Sequence, residues 1–222
     1  MPRIRHIGGI GSILTAGKSG ATGDAPDFVD AQTATASSTT ALTVNKPGVS
    51  VGDILIARIV SSGVSSHIPP DAKWGRIGGY IETSRPSTEL FLKIVDGTED
   101  STFVFSPTVS NTRSIILAAY RPKKALDLQL DQLPLPVYSA ASTAFSTVSL
   151  TPKRKSRMLV FVGYNNASPN ATAPSGTTQR AMASASTSKQ YLFDVLAPKG
   201  TAISKAGTLS SANQHITEAL LF

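Results

Sequence analysis

The chain has 222 residues, of which 41% are hydrophobic and 16% are charged, with a formal net charge of +7 and no cysteine. This length allows a large buried core, and the lack of cysteine excludes a disulfide framework and a thiolate metal site. The longest apolar runs, 114–120 and 158–162, are far shorter than the about 20 residues that a membrane-spanning helix needs. We therefore predict no membrane partner.

The positive charge is spread along the chain. Apart from Arg3, Arg5 and the basic run at 153–157, Lys and Arg are scattered. Aromatic residues are not interleaved with them, as stacking on nucleic-acid bases requires. We expect a solvated basic surface and no specific nucleic-acid partner.

Residues 1–30 contain six glycines and show neither strand nor helix periodicity, which predicts an extended N-terminal arm. Because glycines interrupt its apolar stretch, we expect a retained assembly arm rather than a cleaved signal peptide. Its apolar side chains would enter grooves of a neighbouring subunit, and its arginines would pair with acidic groups. The predicted assembly contacts are Arg3, Ile4, Arg5, Ile7, Ile10, Ile13 and Leu14.

Short β-like runs separated by turn signals begin at about residue 41. The turns include Asn45-Lys46-Pro47-Gly48 and Asp96-Gly97. Six strands are predicted in this first half, 41–121, at residues 41–44, 53–60, 74–81, 89–95, 102–105 and 114–120.

Residues 122–144 are predicted to connect the first half to a second. Leu126, Leu128 and Leu130 alternate with polar residues, which predicts a short strand with one apolar face. The prolines at 134 and 136 exclude a central strand for the segment that follows.

The second half, 145–222, repeats the first in outline, with strands predicted at 147–150, 158–164, 191–196 and 215–222. The matching pairs Leu55/Leu159, Phe91/Phe193 and Ile116/Ile216 lie 104, 102 and 100 residues apart. This nearly constant offset predicts an internal duplication. We expect an all-β fold over residues 31–222, an antiparallel, jelly-roll-like β-sandwich whose two halves bury their apolar faces against each other.

The motifs that carry chemistry are weak. The stretch from Gly11 to Ser19 has five residues between its glycines where a phosphate-binding loop needs four, and no strand precedes it. His6, His67 and His215 lie too far apart for a metal motif and are expected in exposed loops. We predict no catalytic residue, no metal and no cofactor.

Three classes of function are weighed. A hydrolase would need two converging carboxylates or a Ser–His pair. The acids at hand lie in turn contexts that favour structural roles: Glu82, Glu89, Asp96, Glu99 and Asp100. A glycan-binding module would need exposed aromatic residues around Trp74, Tyr80 or Tyr164, although Trp74 is expected to anchor the core. A structural protein ranks first.

Four phrases resemble a β-sandwich module of tailed-bacteriophage virion proteins, and the similarity covers about residues 35–222. They read Val51-Gly-Asp-Ile-Leu-Ile-Ala-Arg58, Lys73-Trp-Gly-Arg-Ile77, Leu90-Phe-Leu-Lys-Ile-Val95 and Ser114-Ile-Ile-Leu-Ala-Ala-Tyr-Arg121. In that family the tryptophan loop carries Pro and Gly beside the ring, whereas Ala72 and Lys73 precede Trp74 here.

The resemblance implies a non-enzymatic virion component. It would be a capsid decoration or head- or collar-associated protein, with a minor tail or baseplate protein and a glycan-binding adhesion module as alternatives. The implied partners are capsid, portal or tail subunits and further copies of the chain, with a host-surface glycan for the adhesion alternative.

Overall fold

The computed structural model describes residues 24–82, 85–123 and 136–222. The seven predicted assembly contacts from Arg3 to Leu14, and also His6, lie outside these residues. The predicted strand at 126–130 lies outside them as well.

Every named strand pairs with its neighbours in antiparallel fashion. No helix occurs in the described parts of the chain. The strands are β1 (Asp27–Ala36), β2 (Leu42–Asn45), β3 (Ile54–Ser61), β4 (His67–Ile68), β5 (Gly75–Tyr80), β6 (Ser87–Ile94), β7 (Thr102–Pro107), β8 (Arg113–Arg121), β9 (Val137–Ser146), β10 (Ser156–Tyr164), β11 (Ala171–Thr172), β12 (Thr178–Ala185), β13 (Ser188–Ala197) and β14 (Ala206–Leu221). The expected all-β antiparallel fold is confirmed.

The strands form two large sheets and one small sheet. The first large sheet has the order β1-β8-β3-β6-β5, and the second has β11-β14-β10-β13-β12 with β9 also paired to β14. The small sheet has the order β2-β7-β4. The two large sheets pack face to face, because one hydrophobic core draws its residues from both.

This inner core holds the sandwich together. The first sheet contributes Ile56, Ile116 and Tyr120, and the second contributes Phe161 and Phe222, all almost fully buried. The Tyr120 ring meets Phe222 edge to face with centroids 5.3 Å apart, a favoured aromatic geometry.

Each large sheet is also covered on its outer side. Leu55, Trp74 and Phe91 pack with residues of the small sheet, while Val160 and Tyr191 pack in the corresponding layer of the second half. All eight residues of β3 are therefore buried, which explains why this strand is a nearly continuous apolar run. Trp74 is 5% exposed, as expected for a core anchor.

The two large sheets share one strand order when β9 is taken as the neighbour of β14: β9-β14-β10-β13-β12 matches β1-β8-β3-β6-β5. This agrees with the predicted duplication, which stays a prediction. One of the matched pairs needs correction, since Leu55 lies in the outer core and Leu159 in the inner core. A slip of one residue moves a side chain to the opposite face of its strand.

Five strands were not predicted, one predicted strand is absent, and three boundaries shift. Residues 147–150, predicted as a strand, hold only an isolated bridge from Leu150 to Ile203, and the last strand begins at Ala206 rather than at residue 215. β1 begins at Asp27, so the predicted arm boundary at residue 30 falls inside a strand, and β9 occupies Val137–Ser146, where a connection was expected. The other unpredicted strands are β4, β11 and β12. β9 consists mostly of Ser, Ala and Thr, and these side chains carry little apolar periodicity.

Asp53 fixes the turn into β3. Its carboxylate accepts two hydrogen bonds of 2.8 Å from the Arg121 guanidinium and one of 2.8 Å from the Ser50 amide. Burial alone would raise the pKa of Asp53, but these hydrogen bonds outweigh it and lower the pKa below its ordinary value. The stabilisation is therefore present at neutral pH and is lost as the pH falls through the lowered value.

We expect Asp53→Asn to cost about 1–2 kcal/mol at pH 7, because it removes a charge-assisted bidentate pair. Urea unfolding midpoints of both proteins should converge as the pH falls below about 4. Asp100→Asn, in the exposed turn before β7, serves as the control and should show neither effect. Equal midpoints for Asp53→Asn and wild type at pH 7 would contradict this role.

Candidate functional site

Residues 25 and 26, just before β1, are firmly held. They are here called the arm root, because the predicted arm would join the sandwich at this point. Ala25 and Pro26 are buried. The Pro26 carbonyl accepts a 2.5 Å hydrogen bond from Nε of Arg157, the second residue of β10. Arg157 Nη2 also lies 3.7 Å from the Asp27 carboxylate. The arm root is thus tied to the second sheet, while β1, which follows it, belongs to the first.

A buried carboxylate strengthens the arm root. Asp194 on β13 pairs with Arg157 at 3.3 Å and with Arg180 at 2.9 Å, and it accepts a hydrogen bond from the Tyr120 hydroxyl. Burial, with the nearby Asp194 charge, raises the pKa of Tyr120 well above its ordinary value, so the hydroxyl stays protonated and donates. Arg180 also covers the Phe28 ring at 4.6 Å. The cluster thus joins β13 of the second sheet to β1 and β8 of the first.

The small sheet presents an exposed surface without charge, here called the outer face. Ile68 of β4 pairs with Ser106 of β7, and Val104, two residues along β7, pairs with Thr43 of β2. The segment before β4 and the segment after β7 also lie side by side, since the Thr108 amide donates a hydrogen bond to the Ser66 carbonyl. The outer face is defined by exposed residues of these strands and of the segments that adjoin them: Thr43, Val64, Ile68, Val104, Ser106 and Thr108.

Apolar exposure concentrates on the outer face. Ile68 is 63% exposed, Val64 42% and Val104 41%, and Val109 at its rim is 43% exposed. Three residues of the outer face and one at its rim thus make up four of the eight large hydrophobic side chains found exposed in the described residues. The other four lie in other segments of the chain: Val51, Ile81, Met182 and Leu196. Contiguous apolar surface with few charges is typical of protein interfaces.

The histidine expectation was wrong for both described histidines. His67 is 7% exposed and its Nδ1 lies 2.7 Å from the buried Glu89 carboxylate, while His215 is fully buried. Ser65 is buried on the same chain segment, yet Ser65 Oγ and His67 Nε2 make no hydrogen bond to each other or to any other described group. The geometry therefore provides an oriented histidine but no Ser–His contact.

Four of the five acids considered for hydrolysis form ion pairs with basic side chains. Glu82 pairs with Arg85, Asp96 with Lys73 and Glu99 with Lys93, and Glu89 contacts Arg76 besides His67. Hydrogen bonding from Lys73 holds the pKa of Asp96 well below its ordinary value. These carboxylates stabilise turns and strand ends.

Only one of the three aromatic positions proposed for glycan binding is accessible. Trp74 and Tyr164 are buried, whereas Tyr80, at the end of β5, is half-buried. The Tyr80 ring stacks on Tyr138 with centroids 6.0 Å apart, and Arg85 lies over the Tyr138 ring at 4.0 Å. The Tyr80 hydroxyl already bonds to Glu82 and Arg85.

An ion pair that sequence reasoning missed crosses the centre of the sandwich. Arg58 of β3 donates to Glu218 of β14 at 2.6 Å, and both side chains are fully buried. Gly163 leaves the space for the guanidinium, since a Cβ there would lie 2.6 Å from Arg58 Nη1. The charged residue at position 58 inside an apolar run was the available sequence signal.

The fold and these surfaces define an antiparallel β-sandwich protein with a charge-free outer face and an anchored arm root. No protein family, no curated protein and no solved structure was found to match the chain.

Within residues 24–82, 85–123 and 136–222, no three His, Asp or Glu side chains come together as metal ligands would. The same residues contain no helix long and apolar enough to span a membrane.

Proposed function

We propose that this chain is a structural, non-enzymatic subunit of a tailed-bacteriophage virion, located as a capsid decoration or head- or collar-associated protein and attached by its N-terminal arm. Its partners would be capsid, portal or tail subunits and further copies of itself. The single observation that carries the proposal is the arm root, where buried residues and Arg157 hold the start of the sandwich.

The arm root supports attachment for a mechanical reason. A docked arm transmits its hold to the sandwich only if the junction between them is rigid. Ala25 and Pro26 are buried, and Arg157 joins the Pro26 carbonyl to the Asp194 cluster. An arm leaving such a junction would connect a neighbouring subunit directly to both sheets.

The proposed location in a virion is based on the sequence resemblance to virion β-sandwiches. A minor tail or baseplate position would use the same attachment. A glycan-binding adhesion role would instead use the half-buried Tyr80–Tyr138 pair at the end of β5. The arm-based role is favoured, because Arg85 and Glu82 already occupy that aromatic pair.

Deleting residues 2–20 tests the proposal. The truncated protein should keep the wild-type circular dichroism spectrum and melting temperature, because it retains the buried Ala25 and all fourteen described strands. Its copy number in purified particles, counted by quantitative mass spectrometry, should fall about tenfold or more, which corresponds to a loss of about 1.4 kcal/mol of binding.

A full-length variant separates arm chemistry from arm length. Serine replacements of Ile4, Ile7 and Ile10 keep the length and glycines of the arm, and we expect them to lower incorporation as the deletion does. Normal incorporation of the truncated protein would refute attachment by the arm. Absence of the wild-type protein from particles would refute the virion role itself.

A further inference from the structure

We infer that the outer face of the small sheet is the surface that receives the N-terminal arm of a second copy of this chain, so that copies join head to tail. This inference rests on the arm-based attachment of the proposed function and names its receiving surface. The occupant is the segment from Ile4 to Leu14.

The chemistry of the outer face matches that segment. The face offers Ile68, Val104 and Val64 among threonine and serine hydroxyls, and none of its six residues is charged. Its occupation would therefore desolvate no ionised group of the face itself, and Arg5 of the segment would keep its charge outside the face, where it could pair with acidic groups. The segment 4–14 repeats isoleucine at every third position from Ile4 to Ile13 and holds three glycines, which lack a Cβ and allow close backbone approach.

The arm root and the outermost part of the face lie at opposite ends of the first sheet. Ile54 at the start of β3 pairs with Tyr120, next to the strand pair Asp27/Arg121, whereas Ser61 at its end pairs with Arg113. Val64 and Val109 lie just beyond that second end. The seven steps from Ile54 to Ser61 separate the ends by about 23 Å.

The position of the arm root disfavours docking on the same copy. Pro26 is held at the seam between the two large sheets, through Arg157 of the second sheet, whereas the outer face lies on the opposite side of the first sheet. β1 is the edge strand of the first sheet, and an arm that continues the direction of β1 beyond Asp27 leads away from its own face. To dock on its own copy, the arm would have to reverse direction around that edge. Residues 14–23 span at most about 35 Å when extended, so length alone does not select the copy, and the molar mass of the wild type does.

The arm root and the outermost part of the outer face lie at opposite ends of the first sheet. A contact between them is therefore heterologous: each copy donates its arm at one end and binds the arm of another copy at the other end. Such a contact makes rings or filaments rather than a closed pair. Wild-type protein should therefore associate beyond a dimer at micromolar to millimolar concentrations.

The experiment compares three folded proteins, and it measures their molar mass by light scattering coupled to size-exclusion chromatography. The first is wild type, the second lacks residues 2–20, and the third carries Ile68→Lys with Val104→Lys. Both lysines replace exposed residues, and an unchanged melting temperature confirms folding. If it changes, Ile68→Ser with Val104→Ser replaces the lysine variant.

We expect wild type to form oligomers and each altered protein alone to be monomeric. An equimolar mixture of the two altered proteins should form a heterodimer, because the lysine variant keeps its arm and the truncated protein keeps its face. The matched control, Met182→Lys with Leu196→Lys, alters equally exposed residues of the second sheet and should associate as wild type does.

Three results would overturn the inference: a monomeric wild type, an equal loss in the control, or a mixture that stays monomeric. These outcomes are independent of the particle experiment. A chain that self-associates through this face but is absent from virions would refute the proposed function alone.

Discussion

Glu218→Ala should destabilise the protein by about 3–5 kcal/mol, because it leaves the Arg58 charge buried without its partner. Arg58 is fully buried and donates to Glu218, to Gln190 and to the Ile216 carbonyl. Burial lowers the pKa of Arg58 and the Glu218 carboxylate opposes this, but an arginine keeps its proton in proteins. Urea unfolding followed by far-ultraviolet circular dichroism measures the loss.

A charge-free double variant is the matched control. Arg58→Met with Glu218→Leu removes both charges and keeps the apolar volume, and such replacements are often neutral or stabilising. Thr88 and Gln190 lose partners in it, so we expect some loss, though less than for Glu218→Ala. A double variant as unstable as the single one would show that the charge imbalance is not the cause.

Phe161→Ala should cost about 3–5 kcal/mol, the usual range for removing a buried phenylalanine from a core. Phe161 lies on β10 with no exposed surface and packs in the inner core between the two large sheets. Arg58 stands over its ring at 5.4 Å. The truncation thus opens a cavity at the contact that joins the two halves and also removes a cation–π partner of Arg58.

Phe161→Leu keeps most of the volume and should lose much less, within about 1.5 kcal/mol. Two probes should be followed for each variant. Fluorescence reports on Trp74 in the outer core of the first half, and circular dichroism reports on all strands. Coincident transitions are expected, because the inner core couples both sheets. A second half that unfolds separately in wild type would contradict that coupling.

The central strands could be read from the residue pattern. β3, β6, β8, β10 and β13 each contain a cluster of consecutive apolar residues and are buried on both faces. Such clusters bounded by turn residues predict buried strands. Trp74 beside them was correctly expected in the core. Burial of these side chains dominates the free energy of any compact state, so the pattern is visible before the fold is known.

The edge strands, and the face of a strand on which each side chain lies, could not be predicted from the residue pattern. Half of β1 is Ala and Thr, and most of β9 is Ala, Ser and Thr. Their pairing depends on β8 and β14, which lie far along the chain. The predicted equivalence of Leu55 and Leu159 in the two halves was wrong for a related reason. A shift of one residue in the alignment places a side chain on the opposite face of its strand. Register comes from contacts between strands.

The candidate surfaces depended still more on long-range contacts. Nothing near Ile68 in the chain shows that it lies beside Val104 on an uncharged sheet, because β4 meets β7 only through folding. The burial of His67 and His215 also follows from strands distant in the chain.

The residue order alone thus accounts for an all-β chain with strongly apolar central strands, since burial acts on each run locally. Sheet order, strand register and the surfaces left exposed follow from how distant strands meet, because backbone hydrogen bonds between strands join residues that the chain itself keeps apart.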